Sequence, residues 1–171
     1  MRRLLMLSMI FLIFSLAIGT KAEAGLITGD EALGGMSKAI DDYYQRTGKG
    51  PVDMNDLRLL SAAMELENGC NSDECLLLTG SVILNRAYYC SWCPDSIEGV
   101  LRQNGQYSKH TVDNLATVKV PERVRLLAIH LLIRGPYGPN DMVYQAMFPQ
   151  GTVYKKVDTE YFGREVHDDA K

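Results

Sequence analysis

The chain has 171 residues, of which 46% are hydrophobic and 23% are charged, and its formal net charge is −3. These are ordinary values for a globular protein, so they exclude a wholly disordered chain. A mildly acidic chain without a basic run is also a poor match to nucleic acid or to an anionic membrane surface. We therefore expect one folded domain that does not bind nucleic acid.

Residues 1–24 have the pattern of an export signal. Two arginines near the start precede an apolar stretch over residues 4–18, and the tripeptide AEA at 22–24 offers the small residues that signal peptidase recognises. A bilayer-spanning helix needs about 20 apolar residues, which is more than this stretch supplies. We expect a cleaved signal peptide, with an uncleaved anchor as the alternative. The folded part is then secreted or lies in the cell envelope (periplasm or cell wall), without membrane contact after cleavage.

The main domain is expected over residues 51–165, after a lead-in of residues 25–50. The lead-in contains a short predicted helix at 32–44 and ends in the turn cluster TGKGP. Asp53 then has the position of an N-cap for a helix that runs to about Glu67, and Val52 can pack on Leu57.

A second helix is predicted from Asn71, where Glu74 completes a capping-box-like pair, to about Tyr88. Its sequence is apolar almost all round, which is typical of a buried central helix. A short helix at 95–102 follows, and another runs from Pro121 to Ile133.

The last part of the chain changes from helical to strand periodicity. Residues 142–148 and 152–154 read as short strands around Pro149-Gln150-Gly151. The predicted fold class is therefore α+β, mainly α, with a buried central helix and a small C-terminal β-sheet.

Four cysteines, Cys70, Cys75, Cys90 and Cys93, are expected to form local pairs. Export favours disulfides over zinc. Cys75 and Cys90 flank the second predicted helix, whose length separates them by about 22 Å. Disulfide-bonded Cα atoms lie within about 7 Å of each other. We therefore expect the pairs Cys70–Cys75 and Cys90–Cys93, with reduced thiols and a four-cysteine zinc site as alternatives. We expect no bound metal and no cofactor.

One acidic residue lies on an apolar helix face. Leu60, Ala63, Met64 and Glu67 follow the i, i+3, i+4, i+7 spacing and share one side of the first helix, whereas Glu65 falls on the solvated side. Desolvation and the helix dipole both favour the neutral form of a carboxyl at position 67. A protonated carboxyl is what a general acid for glycoside cleavage requires. The alternative is a helix-terminal glutamate that turns out to solvent.

Four segments carry a resemblance to a known family. They are AMELENG at 63–69, VILNR at 82–86, NGQYS at 104–108, and VYQAMF at 143–148 with Tyr161-Phe162 after it. Over residues 57–162 the chain resembles the SleB-type cell wall hydrolases, the family of the spore-cortex-lytic enzymes. Counting back from Val82 without a gap places the family's essential glutamate on Glu67, and a two-residue shift would place it on Glu65.

The resemblance implies a lysozyme-like, two-lobed domain that cleaves the bond between N-acetylmuramic acid and N-acetylglucosamine, as a lytic transglycosylase or a muramidase. Glu67 would be the general acid and base. The expected partner is the glycan strand of peptidoglycan, and the protein is expected to be a monomer. In the lytic route the sugar's own 6-hydroxyl is the nucleophile, so one carboxyl suffices. Asp95 and Asp113 are the candidates for the second carboxylate that hydrolysis needs.

Residue types suggest which other side chains contact the sugar. Hydrogen bonds to acetamido and hydroxyl groups are expected from Gln106, Ser108 and Gln145, and stacking on sugar faces from Tyr107, Tyr144 and Tyr161. The alternatives are that Gly105-Gln106 shapes a turn and that Tyr144 belongs to the core. Asn85 and Arg86 are expected to brace the central helix. Asn68 to Asn71 differ from the family pattern, so a catalytically inactive peptidoglycan-binding envelope protein remains the alternative function.

Overall fold

The computed structural model describes residues 45, 52–69 and 71–165, in which five helices precede a three-stranded sheet. The elements are α1 (Met54–Asn68), α2 (Asp73–Tyr88), α3 (Ile97–Arg102), α4 (Lys109–Asn114), α5 (Glu122–Arg134), β1 (Met142–Ala146), β2 (Thr152–Val157) and β3 (Glu160–Arg164). This confirms the α+β class, mainly helical with a small C-terminal sheet. None of the helices in these ranges combines the length and apolar character that crossing a bilayer requires.

Several predictions on the first part of the chain fall outside the described residues. They are the signal peptide of residues 1–24, the lead-in of 25–50 apart from Gln45, the turn cluster that ends at Pro51, and Cys70.

Helix α1 begins as predicted. The Asp53 side chain accepts hydrogen bonds from the backbone N–H groups of Asn55 and Asp56, both at 2.9 Å. These bonds satisfy two of the donors that the start of a helix leaves open. Val52 packs against the apolar cluster that contains Leu57. The start of the domain is thus fixed by local signals that the sequence carries.

Helix α2 begins one residue later than predicted, because its N-cap is Ser72 rather than Asn71. The Ser72 hydroxyl accepts from the Cys75 N–H at 3.3 Å. Asn71 is engaged elsewhere, since its side chain donates to Asn68 Oδ1 at 2.7 Å. Glu74 forms an ion pair with Lys155 on β2 instead of closing a capping box.

The expectation of a buried central helix is confirmed by α2, which has apolar partners on two sides. One side joins the main core cluster with α1, α3 and α5. The other side contacts the sheet through a second cluster, which consists of Cys75, Leu78, Val82, Met142, Val157 and Phe162. Because both sides are covered, the helix needs an apolar surface all round.

The short helices depend on serine caps. Helix α3 begins at Ile97, two residues after its predicted start, because the Ser96 hydroxyl accepts from the Gly99 N–H at 3.2 Å. Helix α4 was not predicted; Ser108 caps it by accepting from the Thr111 N–H at 3.1 Å. The six residues of α4, KHTVDN, contain a single apolar side chain, so no apolar helical period marks this helix in the sequence. Helix α5 ends at Gly135, whose φ of 95° favours glycine.

The sheet is antiparallel throughout, in the order β1-β3-β2. Strand periodicity did not predict β3, and β2 extends to Val157, beyond its predicted end at Tyr154. The hairpin between β2 and β3 turns at Asp158, whose Oδ2 accepts from the Ser72 hydroxyl at 2.7 Å and from the Ser72 N–H at 3.0 Å. The hairpin is therefore attached to the start of α2.

Candidate active site

A cavity of about 800 Å³ lies where the end of α1, the C-terminal half of α2, the turn before α4 and the sheet meet. Its lining consists of Glu67, Val82, Arg86, Trp92, Gly105 to Ser108, Tyr144 to Phe148, Gln150 and Glu160. Cavities of this size accommodate small ligands or a part of a polymer. The lining residues are far apart in the sequence and are brought together by the fold.

Glu67 lies in the last turn of α1, where the apolar stripe meets this cavity. Leu60, Ala63 and Met64 are completely buried, and Glu67 is half-buried. Its Oε1 accepts a hydrogen bond from the Thr111 hydroxyl at 2.6 Å. The carboxyl is therefore held in one orientation at the cavity and does not turn out to bulk solvent.

Thr111 connects Glu67 to the turn before α4. Thr111 is almost fully buried, at 2% exposure. Its hydroxyl also lies 2.9 Å from the hydroxyl of Ser108. The Ser108 hydroxyl also accepts a hydrogen bond from the Thr111 N–H and so caps α4, which means that both of these contacts of Ser108 are with Thr111. The chain of contacts from Ser108 through Thr111 to Glu67 makes the NGQYS turn a support for the carboxyl.

The same turn presents a glycine and two further side chains to the cavity. Gly105 has a φ of 77°, a conformation that glycine adopts at little cost. Gln106 is exposed, whereas Tyr107 packs against the main core cluster. Burial raises the pKa of the Tyr107 hydroxyl, an effect that the Arg86 charge opposes and the Glu67 charge reinforces. Tyr107 therefore carries a neutral hydroxyl group at neutral pH.

The sheet contributes two of the three residues predicted from it. Tyr144 and Gln145 on β1 line the cavity, and Tyr161 on β3 does not. The Tyr161 ring instead has Lys156 Nζ at 4.9 Å from its centroid, a cation–π contact with the adjacent strand. Tyr161 therefore lies outside the cavity that Tyr144 and Gln145 line, and its role in sugar stacking stays a prediction.

The interpretation of Glu65 as an ordinary solvated residue is wrong. Glu65 is half-buried, and its carboxyl lies so close to Gly69 that a Cβ at Gly69 would approach Oε2 to 2.3 Å. Within the described part of the chain, that buried Oε2 has no hydrogen-bond partner. Glu67 lines the cavity and Glu65 does not, so the two carboxyls lie in different surroundings.

A second carboxylate does line the cavity, and the sequence did not point to it. Glu160 begins β3 beside the hairpin turn and is half-buried. Asp95 and Asp113, the two predicted candidates, are absent from the lining, and Asp113 forms an ion pair with Lys109 instead. No local pattern marks Glu160, because its position follows from the pairing of two strands.

Asn85 and Arg86 brace α2, as predicted. Asn85 Nδ2 donates to the carbonyl oxygens of Pro139 at 2.9 Å and Met142 at 2.8 Å, which fixes the entry into β1. Arg86 is buried, at 4% exposure, and donates through Nη2 to Gln103 Oε1 at 2.8 Å. Desolvation lowers the pKa of the Arg86 guanidinium. Arg86 also lines the cavity, so its charge faces the site as well as the core.

The cysteines follow the prediction in part. The Cys90–Cys93 disulfide is formed, with the Cα atoms 5.4 Å apart. The expected bond between Cys75 and Cys70 is not formed, because Cys75 carries a free thiol that is buried in the cluster under the sheet. That burial raises the pKa of the Cys75 thiol, which keeps it protonated and unreactive.

Comparison of the chain with models of protein families, with curated proteins and with solved structures gives no match.

Proposed function

We propose that this protein is a peptidoglycan-cleaving glycosidase, a lytic transglycosylase or muramidase with a lysozyme-like fold. One observation supports it above the others. The Glu67 carboxyl, oriented by Thr111, shares a cavity with Gly105 to Ser108 and with Tyr144-Gln145. These are the segments whose resemblance to SleB-type hydrolases was noted from the sequence alone. The site is proposed to act outside the cytoplasm, secreted or in the cell envelope.

In the lytic route, Glu67 serves as acid and then as base. The protonated carboxyl donates its proton to the glycosidic oxygen as the bond from the muramic C1 to that oxygen breaks. The carboxylate then takes the proton of the 6-hydroxyl while O6 bonds to C1, closing the 1,6-anhydro ring. This second transfer returns Glu67 to its starting form, so no second acid is required.

Glu160 is the candidate second carboxylate for the hydrolytic route. In that route it would activate a water molecule or attack C1, and the product would carry a reducing end. Glu160→Gln therefore separates the two reactions. A lytic enzyme is expected to release anhydro fragments at a nearly parental rate after this change, whereas a hydrolase is expected to lose most of its activity.

The proposal is tested with Glu67→Gln, which keeps the shape of the side chain and removes its acid. We expect the variant to release no fragments from purified peptidoglycan, as measured by mass spectrometry of the soluble products. Glu65→Gln is the matched control, two residues away and outside the cavity, and it is expected to retain activity. A Glu67→Gln protein with parental activity disproves the assignment.

The same assay tests the alternative of a binding protein without catalysis. Such a protein sediments with peptidoglycan sacculi and releases no fragments, whether Glu67 is present or not.

A further inference from the structure

Trp92 is an aromatic residue of the cavity to which the proposed reaction gives no role. Trp92 is the only tryptophan in the chain. It lines the cavity and has 46% of its surface exposed. Single exposed aromatic residues are common on protein surfaces, so exposure alone carries little weight. The contacts of Trp92 add the necessary evidence, because they hold the ring in one place.

Two side chains fix the indole. Its Nε1 donates to Glu165 Oε1 at 2.7 Å, and the guanidinium carbon of Arg86 lies 5.4 Å from the ring centroid. Arg86 is itself buried and held by Gln103. A ring that is fixed by a hydrogen bond and by a buried cation, and that stays exposed beside a cavity, resembles a preformed ligand surface.

A disulfide fixes the backbone of the same residue. Cys90 and Cys93 enclose Ser91 and Trp92, and the Cys93 N–H also donates to the Cys90 carbonyl at 3.4 Å. The Cys90 N–H donates to the Asn85 carbonyl at 3.1 Å, which attaches this loop to the end of α2. The loop therefore has little freedom to move Trp92 away from the cavity.

We propose that Trp92 is a sugar-stacking platform in this cavity and that the Cys90–Cys93 disulfide positions it. This inference rests on the proposed function and adds the residue that receives a sugar ring. β-Linked glucose-type rings carry axial C–H bonds on both faces, which form apolar surfaces that fit an indole. Their hydroxyl and acetamido groups lie at the ring edge, where Gln106 and Gln145 of the same cavity can bond to them.

The rest of the lining suits a ligand with both apolar and polar surfaces. Met147 and Phe148, after β1, line the cavity and are 76% and 61% exposed. Exposed apolar groups next to amide side chains complement a glycan better than they complement a strongly charged ligand.

The test uses the emission of the single tryptophan. A protein that carries Glu67→Gln, which prevents turnover, is titrated with a soluble GlcNAc–MurNAc tetrasaccharide. The tryptophan emission is expected to shift on binding. Trp92→Ala in the same background is expected to weaken binding about tenfold by calorimetry, whereas Trp92→Phe, which keeps a stacking ring, retains most of the affinity. Tyr137→Ala is the control, since Tyr137 is 44% exposed and outside the cavity.

The disulfide is tested by the double change Cys90→Ser and Cys93→Ser. We expect a severalfold loss of tetrasaccharide affinity with an unchanged circular dichroism spectrum. Parental affinity in this double variant overturns the positioning role of the disulfide.

The inference and the proposed function fail in different ways. The proposed stacking role of Trp92 is overturned if Trp92→Ala binds the tetrasaccharide with parental affinity, or if the tryptophan emission does not change on binding. Either result counts even if Glu67→Gln has lost all activity. If Glu67→Gln still cleaves peptidoglycan while Trp92→Ala loses affinity, the catalytic assignment fails and the platform stands.

Discussion

In the proposed reaction, the hydroxyl of Thr111 is expected to control the activity of Glu67. Thr111→Val removes this hydroxyl and keeps the shape of a side chain that is 2% exposed. The change breaks the 2.6 Å bond to Glu67 Oε1 and the 2.9 Å contact with Ser108. The backbone N–H of residue 111 still donates to Ser108, so α4 keeps its cap.

The size of the effect follows from the burial of the two partners. A hydrogen bond between neutral groups contributes about 0.5–1.5 kcal/mol, and one to a charged group about 1.5–3 kcal/mol. In the proposed reaction Glu67 is neutral as the acid and charged as the base, and it is only half-buried, so a value where the two ranges meet applies. A loss of about 1.4 kcal/mol in transition-state stabilisation lowers kcat about tenfold. We expect a smaller change in KM, because in the proposed reaction this bond orients Glu67 and does not contact the sugar.

The assay is the initial rate of fragment release from purified peptidoglycan, with the urea unfolding midpoint measured on the same proteins. Thr111→Ser is the matched control, because it keeps the hydroxyl and loses one methyl group, and it is expected to retain most of the activity. If Thr111→Val loses stability while kcat stays parental, the hydroxyl is structural and the reasoning about Glu67 orientation is refuted.

Three further predictions concern stability and reactivity. Gly163→Ala places a Cβ within 2.0 Å of the Gln150 carbonyl oxygen. Because this clash is with the backbone, we expect the free energy of unfolding in urea to fall by about 3 kcal/mol. An unchanged urea midpoint contradicts this packing. The two hydrogen bonds from Ser72 hold the pKa of Asp158 below its ordinary value of 3.8. The ionised Asp158 therefore stabilises the fold at pH values above 3.8, and this stabilisation is lost as the pH falls through the lower pKa of the folded state. Asp158→Asn is expected to flatten this part of the acid unfolding curve, and an identical curve argues against the contact. Burial raises the pKa of the Cys75 thiol, so iodoacetamide is expected to modify Cys75 only after unfolding, as mass spectrometry of its peptide would show; rapid modification of the folded protein contradicts the buried position.

The parts of the fold that the sequence predicted are those specified by neighbouring residues. The Asp53 cap and the apolar face that ends at Glu67 depend on contacts within a few residues, so the helical period identifies them. The all-round apolar character of α2 predicted its burial for the same reason. The shift of its N-cap to Ser72 was not predictable, since it depends on Asn71 bonding to Asn68 and on Asp158 arriving from the distant hairpin.

The candidate site divides in the same way. The position of Glu67 was predicted from the residues of its own helix, and the resemblance predicted that the segments 104–108 and 143–148 belong to the same site. Glu160 and Trp92 were missed, because one depends on strand register and the other on a loop that leaves α2. The partial burial of Glu65 was missed as well; its carboxyl lies against Gly69, four residues later on the same side of the helix end.

The two carbonyl contacts of Asn85 have a consequence for recognising related chains. They attach the segment that enters β1 to helix α2, so the run VILNR has a structural role. A protein can therefore keep this run without having the catalytic residues. The pairing of a glutamate with a threonine hydroxyl 44 positions downstream is a stricter criterion, because it joins the acid to the element that orients it. Under the proposed function, sequences that have this pair are expected to be active, whereas sequences that have only the VILNR helix share the fold alone.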